Sequence, residues 1–341
     1  MHVIPHFPRG VIIDHRSSRT NPIPRWRGFN LPYACFIGRT RRPVADHFRW
    51  IAEWGFDYVR LPLTYTNWIR NDDPFDIDES WLAYVDECVA LAESSKLHLD
   101  ICFHRGPGYC TNDQRREPFN LWRDREALDA FCLHWRTFAR RYRGIDNSRV
   151  SFNLLNEPSG CDHASHERVM RAAVSAIREI DPDRLIILDG IAWGTVPCPE
   201  LADLGVAQSC RAYYPLGVSH YRAEWEDPGT WPTPTWPGTY NGMHWDRAAL
   251  EAFYAPWLSL LRGGTGVICG EGGCYKHTPH AVVLAWLRDN LEIFESYGIG
   301  WALWNLRGPF GLLDSGRDDV VYEDYHGYKL DRALLSLLQK Y

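Results

Sequence analysis

Long uninterrupted apolar runs are missing from this sequence, and with them any segment that reads as a membrane span. The first residues, MHVIPHFPRGVIIDHRSS, place charges and prolines where a secretory signal needs an apolar core, so the chain reads as soluble and unexported. Lys and Arg form no long run and the formal charge is −6, which removes the basic footprint of a nucleic-acid binder and leaves an uncharged or weakly charged ligand as the expectation. The ten cysteines contain no CxxC pair. Cys102, Cys210 and Cys269 lie in apolar runs, where reduced, buried thiols and a cytoplasmic setting are expected; bridges between Cys269 and Cys274, or Cys102 and Cys110, are the alternative. Gly/Ser linkers, low-complexity tracts and short-period repeats are also absent, so residues 1–341 are expected to form a single domain.

Aromatic side chains are plentiful instead. They make up 14% of the residues and include sixteen tryptophans, and those that cluster in loops suggest stacking surfaces for flat apolar faces such as those of sugar rings.

Short apolar runs alternate with longer amphipathic stretches from end to end. Eight strands are expected: Arg25–Leu31, Tyr58–Leu63, Leu97–His104, Val150–Asn156, Leu185–Gly190, Val206–Tyr214, Gly266–Glu271 and Gly300–Leu306. Helices are expected at Val44–Trp54, Ser80–Ser94, Arg125–Tyr142, His166–Ile180, Arg247–Leu261, Val282–Tyr297 and Lys329–Gln339, with only a short, weakly helical piece after the fifth strand. Eight repeats of strand then helix give an α/β fold, a (β/α)8 TIM barrel. The rival, an open doubly wound sheet, needs a glycine-rich phosphate loop after its first strand, and RWRGFNLPYACFIG lacks the GxGxxG spacing. Two extended connections follow the sixth and eighth strands, from Pro215 to Trp245 and from Arg307 to Tyr328. Both belong to the barrel face that carries sites. The first holds Trp225, Trp231, Trp236 and Trp245, expected either to wall a ligand or to pin the loop to the barrel.

Polar residues then fall at the strands' C-terminal ends: Arg60 in the second, His104 ending the third, Asn156 and Glu157 the fourth, Tyr213 near the end of the sixth, Glu271 ending the seventh and Trp304 in the eighth. Carboxylates on strands four and seven face each other across the ring. Such a pair, one protonated and one ionised, is the minimum equipment for cleaving a glycosidic bond. Glu271, near Tyr213 and Arg60, suits nucleophilic attack, while Glu157, after an apolar strand, suits the general acid. The Asn156 amide would donate to a sugar hydroxyl beside the reacting carbon.

Together these segments resemble glycoside hydrolase family 5 from Arg25 to Leu306. LLNEP is similar to the family's acid/base motif, VICGEGG to its nucleophile strand, VRLP to its strand-two arginine, DICFHRGPG to its strand-three histidine and WALWNL to its strand-eight tryptophan. The resemblance implies retention of configuration through a covalent glycosyl-enzyme on Glu271, with Glu157 as acid and then base, no metal and no cofactor. It also implies sugar platforms at Trp304 and at Trp193. One departure stands out: SCRAYYP puts Arg211 where the family has a histidine, with Tyr213 retained. An arginine beside Glu157 would lower its pKa and weaken it as an acid, so Arg211 is expected to point elsewhere.

The function expected from this set is hydrolysis of β-1,4-linked manno- or gluco-oligosaccharides, leaning to an exo-acting β-mannosidase on short oligosaccharides, with an endo-β-1,4-glucanase as the alternative. A sugar-binding barrel without catalysis would have lost a carboxylate, and both are present. A metal-dependent hydrolase needs HxH or HExxH ligands. The nearest cluster, CDHASHERV with His163 and His166, is expected to be a solvated helix start.

Overall fold

The computed structural model describes residues 21–112 and 116–341. The N-terminal segment read above as lacking a secretory core lies outside them. Eight strands form the barrel: β1 (Arg27–Asn30), β2 (Tyr58–Thr64), β3 (His98–Gly106), β4 (Val150–Asn153), β5 (Ile186–Asp189), β6 (Ala207–Ala212), β7 (Val267–Gly272) and β8 (Gly300–Leu303). Each pairs in parallel with its sequence neighbours, and β1 closes the ring against β8. Strands of such a barrel are covered on both faces. That is why β2 and β3 are buried at every position, including their few polar residues.

Helices α1 (Ala45–Glu53), α2 (Ala83–Ser94), α3 (Arg125–Tyr142), α4 (His163–Arg178), α5 (Arg247–Arg262), α6 (His280–Ser296) and α7 (Arg332–Lys340) pack outside. Their buried residues recur on one stripe, as with Phe131, Trp135, Phe138 and Tyr142 of α3. Asp162, Asp246 and Asp331 cap α4, α5 and α7 by accepting from Ser165, Ala249 and Leu334 N–H at 2.8, 2.9 and 2.9 Å. After β5 a kinked turn, Ile191–Gly194, and a 3-10 turn, Pro199–Leu204, stand where the other repeats have a full helix.

The expected (β/α)8 barrel is therefore present, with differences at its edges. Strands four, six and eight are shorter than expected: Asn156 and Glu157 lie beyond β4, Tyr213 just beyond β6 and Trp304 just beyond β8. Beyond β4 the reason is local. Glu157 has a left-handed backbone (φ 47°), which no strand accommodates, so the chain turns at the rim. Within the extended connections, two hairpins fold, Gly238–Tyr240 with Met243–Trp245 and Glu323–Tyr325 with Tyr328–Leu330. Their two-residue turns, Asn241-Gly242 and His326-Gly327, have φ of 51°, 75°, 53° and 83°, the mirror-image geometry that matches strand twist. All ten cysteines are free thiols, so neither candidate bridge forms. No helix among the described residues is long and apolar enough to cross a membrane.

Gly28 shows how tightly the barrel closes. A Cβ built there would sit 1.8 Å from the Tyr58 carbonyl oxygen on the adjacent strand. Gly28→Ala is accordingly expected to destabilise the protein by about 1–3 kcal/mol or more through overpacking. A thermal unfolding scan showing an unchanged midpoint would contradict this.

Candidate active site

Arg60 organises the barrel mouth from β2. Its side chain is fully buried, and its guanidinium donates to Asn153 Oδ1 at 2.8 Å, Asn30 Oδ1 at 3.0 Å, Asn156 Oδ1 at 2.8 Å and the Glu271 carboxylate. A buried cation is tolerated only when its donors are satisfied. Here asparagines from β1 and β4 and from the turn beyond β4 supply the acceptors.

Glu271, in β7, thus meets Arg60 through Oε1, while its Oε2 accepts from the Tyr213 hydroxyl at 3.1 Å. Arg211 Nη2 stands 3.7 Å from Oε1. Burial, and then the charges of Glu271 and Glu157, push the Tyr213 phenol well up, so it remains a donor.

Glu157 reaches the same space from beyond β4. Its backbone N–H donates to Asp189 Oδ2 at 2.8 Å and its carbonyl accepts from the Tyr109 hydroxyl at 2.6 Å, which together hold the left-handed turn. Thr111 Oγ1 lies 3.5 Å from Oε2. The expectation that Arg211 points elsewhere is overturned. Arg211 Nε donates to Glu157 Oε1 at 3.0 Å, Nη1 donates to Ser209 Oγ at 2.9 Å, and Nη2 donates to Asn156 Oδ1 at 2.9 Å and to Asp189. β6 runs beside β5, and an arginine that alternates inward from it has these carboxylates as the available acceptors for a buried charge. The feared loss of acidity control does not follow. Burial, and next the charge of Glu271, push the Glu157 carboxyl up to about 7 against the pull of Arg211.

Asn156 Oδ1 accepts from both arginines, which fixes the amide so that the buried Nδ2 has no protein partner among the described residues. His104, on β3, is buried and stacks against Trp304 at 5.6 Å and 13°. Burial, followed by the charges of Arg60 and Arg211, lowers its imidazole to about 3, so it is neutral, and its Nδ1 also lacks a partner among the described residues. Both orphan polar atoms belong to the residues expected to bind a ligand. Trp304 is half-buried at the β8 rim, and Trp193, 38% exposed, sits in the kinked turn after β5, its backbone N–H donating to Pro158 O at 3.2 Å.

The loop tryptophans divide. Trp245 is buried, Trp236 is tied to Asp289 through its indole N–H at 2.8 Å, and Trp225 is 62% exposed, edge-on to Tyr275 with ring centres 5.0 Å apart and to His220 at 6.2 Å. The solvated helix start expected for this pair holds for His163, the exposed first residue of α4, and not for His166. His166 is buried with Nδ1 3.5 Å from Cys198 Sγ, and His163 Nδ1 meets Glu200 Oε1 at 2.6 Å. Tertiary folding brings Cys198 and Glu200 to α4 from a segment thirty-odd residues away. That group includes none of the mouth residues.

Asp189 was missed. The run LIILDG ends its strand in a carboxylate, the same signal that drew attention to Glu157, yet its bonds to Arg211, to the Glu157 N–H and to Asn153 Nδ2 at 2.9 Å become visible only when β4, β5 and β6 lie side by side.

Buried carboxylates set opposite each other at the mouth of a parallel (β/α)8 barrel, with tryptophans on its rim, define a glycoside hydrolase. Residues 16–308 match the family model described as cellulase (glycosyl hydrolase family 5), and the chain belongs to that family. It is 27% identical over 300 residues to endoglucanase C of Acetivibrio thermocellus, covering 80% of this chain and 87% of that protein. Cellodextrinase A of Ruminococcus flavefaciens is 27% identical over 260 residues, 73% of this chain and 74% of the relative. A crystal structure of a glycoside hydrolase superposes with a TM-score of 0.89 at 37% identity, over 93% of this chain and 99% of that one.

Removing the guanidinium at position 60 would strand three asparagines and a carboxylate. Arg60→Met is expected to cost about 3–5 kcal/mol of stability, the scale found when one partner of a buried pair is deleted. Denaturant unfolding with a midpoint equal to the wild type would sink this account.

Proposed function

We propose that the protein is a retaining, endo-acting β-1,4-glucan hydrolase working on soluble cello-oligosaccharides. The observation that carries the reading is the unequal treatment of two carboxyls in one enclosed mouth: Glu157 pushed up to about 7, and Glu271 bound by Arg60 and Tyr213. In the first step a Glu271 oxygen attacks the anomeric carbon while Glu157 gives its proton to the departing oxygen, which leaves as the shortened sugar chain. In the second, Glu157, now a carboxylate, takes a proton from a water that attacks the same carbon, and Glu271 departs. Two inversions return the original configuration. Asn156 Nδ2, without a protein partner among the described residues, would donate to the hydroxyl beside the reacting carbon, and Trp304 would supply a flat face for that ring.

Glucose is favoured over mannose, and endo over exo action, because the curated relatives named above are an endoglucanase and a cellodextrinase. The exposed Trp225 lies beside His220, whose ring is 5.1 Å from that of Tyr213, and so stands outward from Glu271 along one wall of the mouth. It suits a sugar unit remote from the cleaved bond. Ten free thiols favour a reducing compartment, in keeping with a short, soluble substrate.

Cellohexaose and mannohexaose, with product lengths recorded, test the substrate. A spread of cello-oligosaccharide products is expected; release of one fixed unit would replace the endo reading with an exo one, and preference for mannohexaose would reverse the sugar. Glu271→Ala is expected to lose activity by more than about a thousandfold, with azide restoring turnover of an activated aryl glycoside and giving the inverted glycosyl azide. Since the acid must be protonated in the free enzyme, kcat/KM should be high below about pH 7 and fall as pH rises through the Glu157 value of about 7. Trp225→Ala is expected to raise KM for cellohexaose by roughly three- to tenfold, the size of one lost stacking contact, and to leave cellotriose hydrolysis unaffected.

A further inference from the structure

The mouth holds a third carboxylate that the proposed reaction does not use. Asp189 ends β5 with its side chain fully buried. Its Oδ1 accepts from Asn153 Nδ2 at 2.9 Å; its Oδ2 accepts from the Glu157 backbone N–H at 2.8 Å and from Arg211 Nη2, and stands 3.7 Å from Arg60 Nη2.

We propose that Asp189 is a positioning residue for the acid/base: its charge compensates Arg211, so that the guanidinium orients Glu157 without holding it ionised. This rests on the reading of Glu157 as acid/base given above.

The groups facing Glu157 can be counted element by element. Arg60 from β2 and Arg211 from β6 bring positive charge; Asp189 from β5 and Glu271 from β7 bring negative charge. His104 from β3 is neutral, with its imidazole lowered to about 3, and the phenols of Tyr213 and Tyr109 and the hydroxyl of Thr111 are uncharged donors. With Asp189 and Glu271 as carboxylates, these two guanidiniums are already balanced and leave no positive charge over for Glu157; Asp100 of β3, buried within reach of the Arg60 charge and bonded to Tyr58 and Ser151, has its carboxyl raised by burial and adds no positive charge either. Ionising Glu157 adds an uncompensated charge to a buried space, which is costly. Among the three carboxylates Glu157 also has the most exposed side chain, 14% against 4% for Glu271 and 0% for Asp189, so its proton can pass to a ligand. Were Asp189 neutral, the count would reverse. Arg211, bonded to Glu157 Oε1 at 3.0 Å, would then favour the ionised acid.

Cellotetraose hydrolysis by the wild type, Asp189→Asn, Arg211→Gln and the double variant, each across pH 4–9, tests this. Asp189→Asn is expected to move the basic limb of kcat/KM down by about one pH unit or more, with Arg211→Gln moving it up and the double variant returning it toward the wild type. The loss in Asp189→Asn should be about fivefold or more at pH 7, smaller at pH 5, and smaller again on 2,4-dinitrophenyl β-cellobioside, whose leaving group needs no acid. A basic limb that stays in place in Asp189→Asn, with activity falling equally at all pH values, would overturn the proposal and leave Asp189 as the anchor of the Glu157 backbone. Should Asp189→Asn not fold, the separation between the limbs of Arg211→Gln and the double variant measures the same charge, and coincident limbs would overturn it equally. Glu157→Gln separates the two readings: if it retains the wild-type rate and limb on cellotetraose, Glu157 is not the acid; if it abolishes the limb while Asp189→Asn does not shift it, only the present proposal fails.

Discussion

Two guanidiniums enclosed in a parallel barrel are the constraint around which the mouth of this protein is built. Neither Arg60 nor Arg211 reaches water, so each must find its counter-charges and acceptors among the neighbouring strands. Asn30 from β1, Asn153 from β4, Asp189 from β5, Ser209 from β6, Glu271 from β7 and Asn156 beyond β4 all accept hydrogen bonds through their oxygens from one or other of them. A network of this kind rigidifies its members because every alternative rotamer strands a buried charge. The proposed catalytic carboxyls inherit that rigidity, which is what positioning for an in-line displacement requires.

The same network divides the labour between carboxyls that are chemically alike. Glu271 is grasped on both oxygens, by a cation and by a phenol that stays protonated. Glu157 is placed by its backbone, with Asp189 and Tyr109 holding a left-handed turn, and its side chain retains some solvent access. Environments that push paired acids apart are how one site runs acid and nucleophile chemistry at a single pH. The substitution of Arg211 at a position where the family has a histidine fits this scheme only because a further carboxylate lies within the reach of its guanidinium.

Much of this was legible in the residues. The strand and helix alternation predicted the barrel, because strands covered on both faces are mostly apolar and the helices over them are apolar on one stripe. The expected site residues Arg60, His104, Asn156, Glu157, Tyr213, Glu271 and Trp304 gather at one mouth because they lie in, or just beyond, strands of a single parallel sheet. Less was legible in the connections. Asn241-Gly242 is a hairpin signal in plain view, yet Trp225, Trp236 and Trp245 differ in exposure according to what each meets, and His163 and His166 acquire Glu200 and Cys198 from a segment that passes beside α4 only after folding.

By itself the sequence determined the barrel and placed Glu157 and Glu271 at the ends of its fourth and seventh strands, since these depend on local periodicity and on which residues stand at strand ends. The tertiary structure decided which cation touches which anion. Taken as a pair, Arg211 and Glu157 read as a cation that would spoil an acid; the fold brings them together and adds Asp189, and burial, with the charge of Glu271 next, pushes the Glu157 carboxyl up to about 7. Electrostatic energy in a low-dielectric space is a sum over every charge present, and no pair of residues read along a chain reveals the terms that come from the neighbouring strand.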